Sequence, residues 1–110
     1  MRQIVIDELS VFERDNLESY LKRSLKPGPV EGIFWLELPD DLLGEAQQGH
    51  HQCAPFYLAV DLDQKRLCFE LLVRSKTNLH CSCIAWASAG QRQFLLDFID
   101  RMLAVEQIRA

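Results

Sequence analysis

Hydrophobic and polar positions divide the chain into segments of two different periods. Residues 32–38, 56–62 and 66–75 alternate with a period of two, the signature of strands with one buried face. In the first, Phe34, Leu36 and Leu38 share one side and Ile33, Trp35 and Glu37 the other. In the third, Leu67, Phe69, Leu71 and Val73 share a side. Residues 2–7 are short and rich in β-branched side chains, and residues 79–87, "LHCSCIAWA", follow a turn-forming "KTN", so both are read as strands.

Two segments carry the helical period. Leu17, Tyr20, Leu21 and Leu25 recur at steps of three and four, predicting a helix over residues 11–25. Ser10 and Glu13 have capping-box spacing at its start, and Pro27 and Pro29 stop it. Ser88 and Gln91 repeat the box before a C-terminal helix containing Phe94, Leu95, Phe98, Ile99, Met102, Leu103, Val105 and Ile108. That apolar arc is wider than one core-facing stripe requires. Residues 39–55 hold two Gly and two Pro with no sustained period, and read as a long connection with a helical turn in "DDLLGEA".

The resulting order is β-α-β-β-β-β-α. It predicts a single α+β domain over residues 1–110, a two-layer sandwich with both helices on one face of an antiparallel sheet. The order resembles that of the TATA-binding-protein-like fold. The likeness is of element order alone, with no motif of that family, and implies nothing about function.

Composition narrows the function classes. With 110 residues, 48% hydrophobic and 25% charged, the chain suits one folded domain. No apolar run approaches the roughly 18 residues of a membrane span, and the N-terminal run is too short for a signal peptide. A cytoplasmic protein without a membrane partner is expected. The net charge of −4 and the lack of a dense basic patch argue against nucleic acid as a partner. No phosphate loop, dinucleotide fingerprint or nucleophile elbow occurs. Asp40, Asp41 and Glu45 form an acidic group in the long connection, where a solvated loop is the plainer reading. The expectation is therefore a domain without catalytic apparatus.

Two stretches carry the remaining chemistry. "HHQC" (residues 50–53) and "HCSC" (80–83) hold all three histidines and three of the four cysteines. In a meander the two stretches lie at the same end of the sheet, about 10 Å apart across one intervening strand. The flexible 39–55 connection can close that gap. His51, Cys53, Cys81 and Cys83 are then the candidate ligands of a zinc ion, whose usual partners are thiolate and imidazole. His80 points away from Cys81 in a regular strand. Two residues of extended strand span about 7 Å, so Cys81 and Cys83 share one ion only if the strand bends. The plainer reading is that these are buried strand cysteines with surface histidines, and that Cys68 is a plain strand residue.

The outer sheet face offers a second feature. Ile33, Trp35, Tyr57 and Leu72 share it, and Trp86 joins them if Cys81, Cys83 and Ala85 lie under the helices. A solvated sheet face should be polar, so this aromatic surface predicts a cover. Two readings follow. The first is a non-enzymatic module without cofactor, using that face to bind a protein partner, to form a two-fold homodimer or to take a small apolar ligand. The second is a zinc-binding or thiol-dependent protein using the His/Cys clusters.

Overall fold

The computed structural model describes residues 2–110, and among them it has two helices and seven strands. Strand β1 (Gln3–Ile6) leads into helix α1 (Val11–Ser24), and β2 (Lys26–Pro27) and β3 (Ile33–Glu37) follow. A connection holding three 3-10 turns (Asp40–Leu42, Glu45–Gln47, His51–Cys53) leads to β4 (Phe56–Leu62). Then come β5 (Leu67–Glu70), β6 (Leu72–Ser75), β7 (Ala85–Trp86) and helix α2 (Ala89–Val105). All pairings are antiparallel, in the order β1-β5-β4-β3-β2, with β6 between β4 and β7. This is an α+β architecture.

Both helices start at closed capping boxes. The Ser10 hydroxyl accepts from the Glu13 N–H while the Glu13 carboxylate accepts from the Ser10 N–H, and Ser88 and Gln91 do the same. Leu17 and Leu21 of α1 and Leu95, Phe98, Ile99 and Met102 of α2 enter one core with Phe34, Leu36, Leu58, Val60, Leu67, Phe69 and Val73. Phe98 joins the layers, meeting Tyr20 of α1 edge-on at 6.0 Å and Phe69 of β5 at 6.4 Å. The broad apolar arc of α2 is only partly used, since Leu96 and Val105 remain exposed.

The expected strand 66–75 is two strands. Val60 opposes Phe69, yet Tyr57 opposes Arg74, so three steps along β4 match five along β5 and β6. The extra pair lies at Leu71–Leu72 and bulges the chain. An even insertion preserves the alternation, so Phe69 and Val73 still face the core. The bulge also gives β5–β6 two neighbours on one side. The Leu71 N–H donates to the Arg2 carbonyl, and the Leu71 carbonyl accepts from the Ala87 N–H. Glu70 and Arg74, about 13 Å apart at Cα in a straight strand, pair at 2.6 Å across the bend.

The expected strand 79–87 shrinks to Ala85–Trp86. Side chains capture the backbone that would have extended it. The Ser75 hydroxyl accepts from the N–H groups of Thr77 and Asn78, and the Asn78 side-chain carbonyl accepts from the His80 N–H. These local bonds favour turns over a ladder. Residues 76–84 therefore leave the sheet as a loop, and that loop carries Cys81 and Cys83.

Candidate metal centre

The two loops meet. One ligand atom from each of His50, Cys53, Cys81 and Cys83 lies within 4.8 Å of the other three. Cys53 and Cys83 are buried, while His50 and Cys81 are half-buried. A tetrahedral zinc with ~2.3 Å bonds to sulfur sets its ligands about 3.8 Å apart. The widest pair would close by no more than about 1 Å to hold such an ion, while His50 Nδ1 and Cys81 Sγ, 3.2 Å apart, would part slightly. The four residues together can hold a metal ion.

The imidazole in this group is His50, and His51 is not in it. His51 opens the 3-10 turn that ends at Cys53 and is exposed, as is His80. The Cys53 N–H donates to the His50 carbonyl at 3.0 Å, and this tight turn brings His50 onto the side of Cys53. His50 Nδ1 stands 3.2 Å from Cys81 Sγ. Neighbouring histidines cannot be ranked by spacing when the local turn is unknown.

A buried polar network holds both loops. The Gln47 amide donates to the Cys83 carbonyl at 2.7 Å. Its oxygen accepts from the Gly44 N–H at 2.8 Å and from the Gln91 amide at 3.1 Å. The Gln91 amide also donates to the Leu42 carbonyl, tying the connection to the start of α2. On the other side the Ser75 hydroxyl donates to the Cys53 carbonyl, and the Thr77 hydroxyl to the Gln52 carbonyl at 3.0 Å. Gln47, Gln91 and Ser75 are all buried, so water cannot replace these bonds without a cost. Sequence periodicity missed Gln47 and Ser75. A hint lay in their position beside the two clusters, but burial was not legible there.

The thiols differ in acidity. The backbone N–H and then the thiol of Cys83 donate to the Cys81 sulfur, the Cys53 thiol adds to them, and the neighbouring His50 imidazole gives a smaller pull. Together they bring Cys81 down to about 6. Burial, followed by the neighbouring sulfurs, pushes Cys83 up. Cys81 is therefore the readier of the two to lose its proton, whereas Cys83 holds its proton more firmly and gives it up as a metal binds. Cys68 lies apart on the outer sheet face, half-buried, and burial raises its pKa.

A cleft of about 340 Å³ opens beside His50, lined also by Asp40, Gln48, His51 and Phe56. Asp40, Asp41 and Glu45 are exposed.

The aromatic residues divide. Trp35 and Tyr57 meet at 5.6 Å with their rings tilted, and line a groove of about 330 Å³ with Ala59, Glu70, Arg74 and Leu79. Ile33 and Leu72 are half-buried and do not line it. Trp86 opposes Leu72 in β7, 42% exposed, beneath the Arg2 guanidinium at 4.7 Å. Of the small residues expected under the helices, Cys83 is buried and Cys81 and Ala85 are half-buried. Ion pairs Lys26–Glu37 and Glu70–Arg74 make the outer face more polar than the aromatic count implied.

No helix among the described residues is long and apolar enough to cross a membrane. The chain matches no protein-family model, no curated protein and no solved structure.

Proposed function

We propose that this chain is a zinc-binding domain in which His50, Cys53, Cys81 and Cys83 hold one ion. The observation that carries the reading is the convergence of three sulfurs and one imidazole nitrogen within 4.8 Å, from two loops with little regular structure. Three thiolates and an imidazole fit zinc in charge, softness and tetrahedral preference. All four positions come from protein, the pattern of a structural site, whereas a catalytic zinc keeps a position for water or substrate. The ion's role is to clamp the 39–55 connection to the 76–84 loop. The four cysteines are free, which suits a reducing compartment and hence the cytoplasm.

Cobalt(II) substitution tests the reading. The full chain should take up one cobalt ion with intense sulfur-to-metal charge-transfer bands and the strong visible bands of a tetrahedral site. Cys81→Ser or Cys83→Ser should weaken both. Only the weak bands of a six-coordinate ion would refute it.

A second role in recognition has one observation in its favour. Leu79, 71% exposed, stands at the rim of the Trp35–Tyr57 groove and belongs to the loop that the metal would clamp. A protein partner or second copy placing an apolar side chain there would use the face expected from the sequence. Trp35→Ala should then abolish self-association seen by light scattering. A wild-type chain that stays monomeric at high concentration would remove the homodimer version.

A further inference from the structure

We propose that Cys81 is the point at which a peroxide enters the cluster, and that its oxidation expels the metal and joins Cys81 to Cys53 as a disulfide. The inference rests on the metal-binding reading of this site.

Three observations lead here. The cluster packs three sulfurs together, so any two are within a short movement of the ~2.05 Å S–S bond. Only one of them is open to solvent: Cys53 is 2% and Cys83 0% exposed, while Cys81 is half-buried. Finally, Cys53 and Cys81 stand on separate loops that can approach as units. Cys83 is two residues from Cys81 in one tight turn, where a disulfide closes a small strained ring.

The chemistry balances with peroxide as the oxidant. The Cys81 thiolate attacks one peroxide oxygen, the O–O bond breaks, and Cys81 becomes a sulfenic acid as hydroxide leaves. The Cys53 sulfur then attacks the Cys81 sulfur. The S–O bond breaks, the S–S bond forms and a second hydroxide leaves. Two protons from solvent complete two waters, so two thiolates are oxidised by two electrons and one peroxide is reduced. Zinc is left with Cys83 and His50, two ligands where it needs four, and dissociates. The disulfide then holds together the loops that the metal held before.

Cys68 provides the internal control. It belongs to the outer sheet face, outside the cluster, with no cysteine among its strand partners Val5 and Asp61. The test treats the zinc-loaded full chain with one equivalent of hydrogen peroxide. Released zinc is read with a chromophoric chelator, and the linkage by peptide mapping after alkylation. The expected result is loss of the zinc, a Cys53–Cys81 peptide, an alkylatable Cys68, and recovery of zinc binding after dithiol reduction. Cys68→Ser should behave as wild type. Retained zinc, a link through Cys68, or oxidation that leaves Cys81 a thiol would overturn the proposal. A chain that takes up no zinc yet forms the Cys53–Cys81 link with peroxide would instead refute the zinc reading and leave the thiol chemistry standing.

Discussion

Replacing Gln47 with leucine removes the side chain that joins both loops of the candidate centre while keeping its volume nearly constant. Three hydrogen bonds disappear, at 2.7, 2.8 and 3.1 Å. The Gln91 amide keeps its bond to the Leu42 carbonyl. The Cys83 carbonyl and the Gly44 N–H lose the partner that Gln47 gave them, and each orphaned buried group costs about 1–3 kcal/mol. The Gly44 N–H is only part-buried, and the new leucine gains some apolar burial, so the lower half of the range applies. The expected loss is about 2–4 kcal/mol, a large share of the 5–15 kcal/mol typical of a domain. Urea unfolding with chelator present, followed by far-ultraviolet circular dichroism, measures it. Because Gln47 also positions the Cys83 loop, zinc affinity should fall roughly tenfold, equivalent to ~1.4 kcal/mol. Gln48→Ala removes only an exposed 3.3 Å bond and should change stability by less than about 0.5 kcal/mol. If Gln47→Leu unfolds at the wild-type midpoint, the buried network is not what holds these loops.

Other expectations concern the frame. Gly32 has φ +88°, and a Cβ there would stand 2.9 Å from the Leu62 carbonyl, so Gly32→Ala should cost about 1–3 kcal/mol in urea unfolding. Gly90 lies in the first turn of α2 with open space around it, so Gly90→Ala should be neutral or stabilising by up to about 1 kcal/mol in the same assay. The Asp63 carboxylate accepts from the N–H groups of Lys65 and Arg66 in the β4–β5 turn, which hold its pKa below the ordinary 3.8. Its contribution to stability is thus full above the unfolded value and fades as pH falls through the lower folded value. A carboxyl carbon NMR titration should find the Asp63 midpoint below 3.8, and a midpoint at or above it would contradict the turn geometry.

The regular elements were largely legible from the residues. The spacing of Ser10 with Glu13 and Ser88 with Gln91 marked both helix starts, because a capping box is a contact within three residues. Alternation placed β3 and β4 to within a residue or two, since one face of each is core. Legibility ended where tertiary contacts override local pattern. Alternation along residues 66–75 is unchanged by a two-residue bulge, so the pattern carried no trace of it. In "LHCSCIAWA" the alternating apolar positions suggested a strand, but hydroxyl and amide bonds from Ser75 and Asn78 turned residues 76–84 out of the sheet. That turn removes the ~7 Å Cys-x-Cys objection to a shared ion. Three of the four expected ligands thus converge, while the fourth changes from His51 to its neighbour His50. The 3-10 turn that selects His50 is held by the Ser75 and Thr77 hydroxyls on the Cys53 and Gln52 carbonyls, contacts that carry no periodic signal.

The most direct measurement is the metal content of tag-free protein purified without chelator, by elemental mass spectrometry, for wild type, His50→Ala and His51→Ala. Wild type and His51→Ala should carry about one zinc per chain, and His50→Ala should carry much less, because only His50 meets the three sulfurs. A zinc-free wild-type chain, or a loss confined to His51→Ala, would contradict the site.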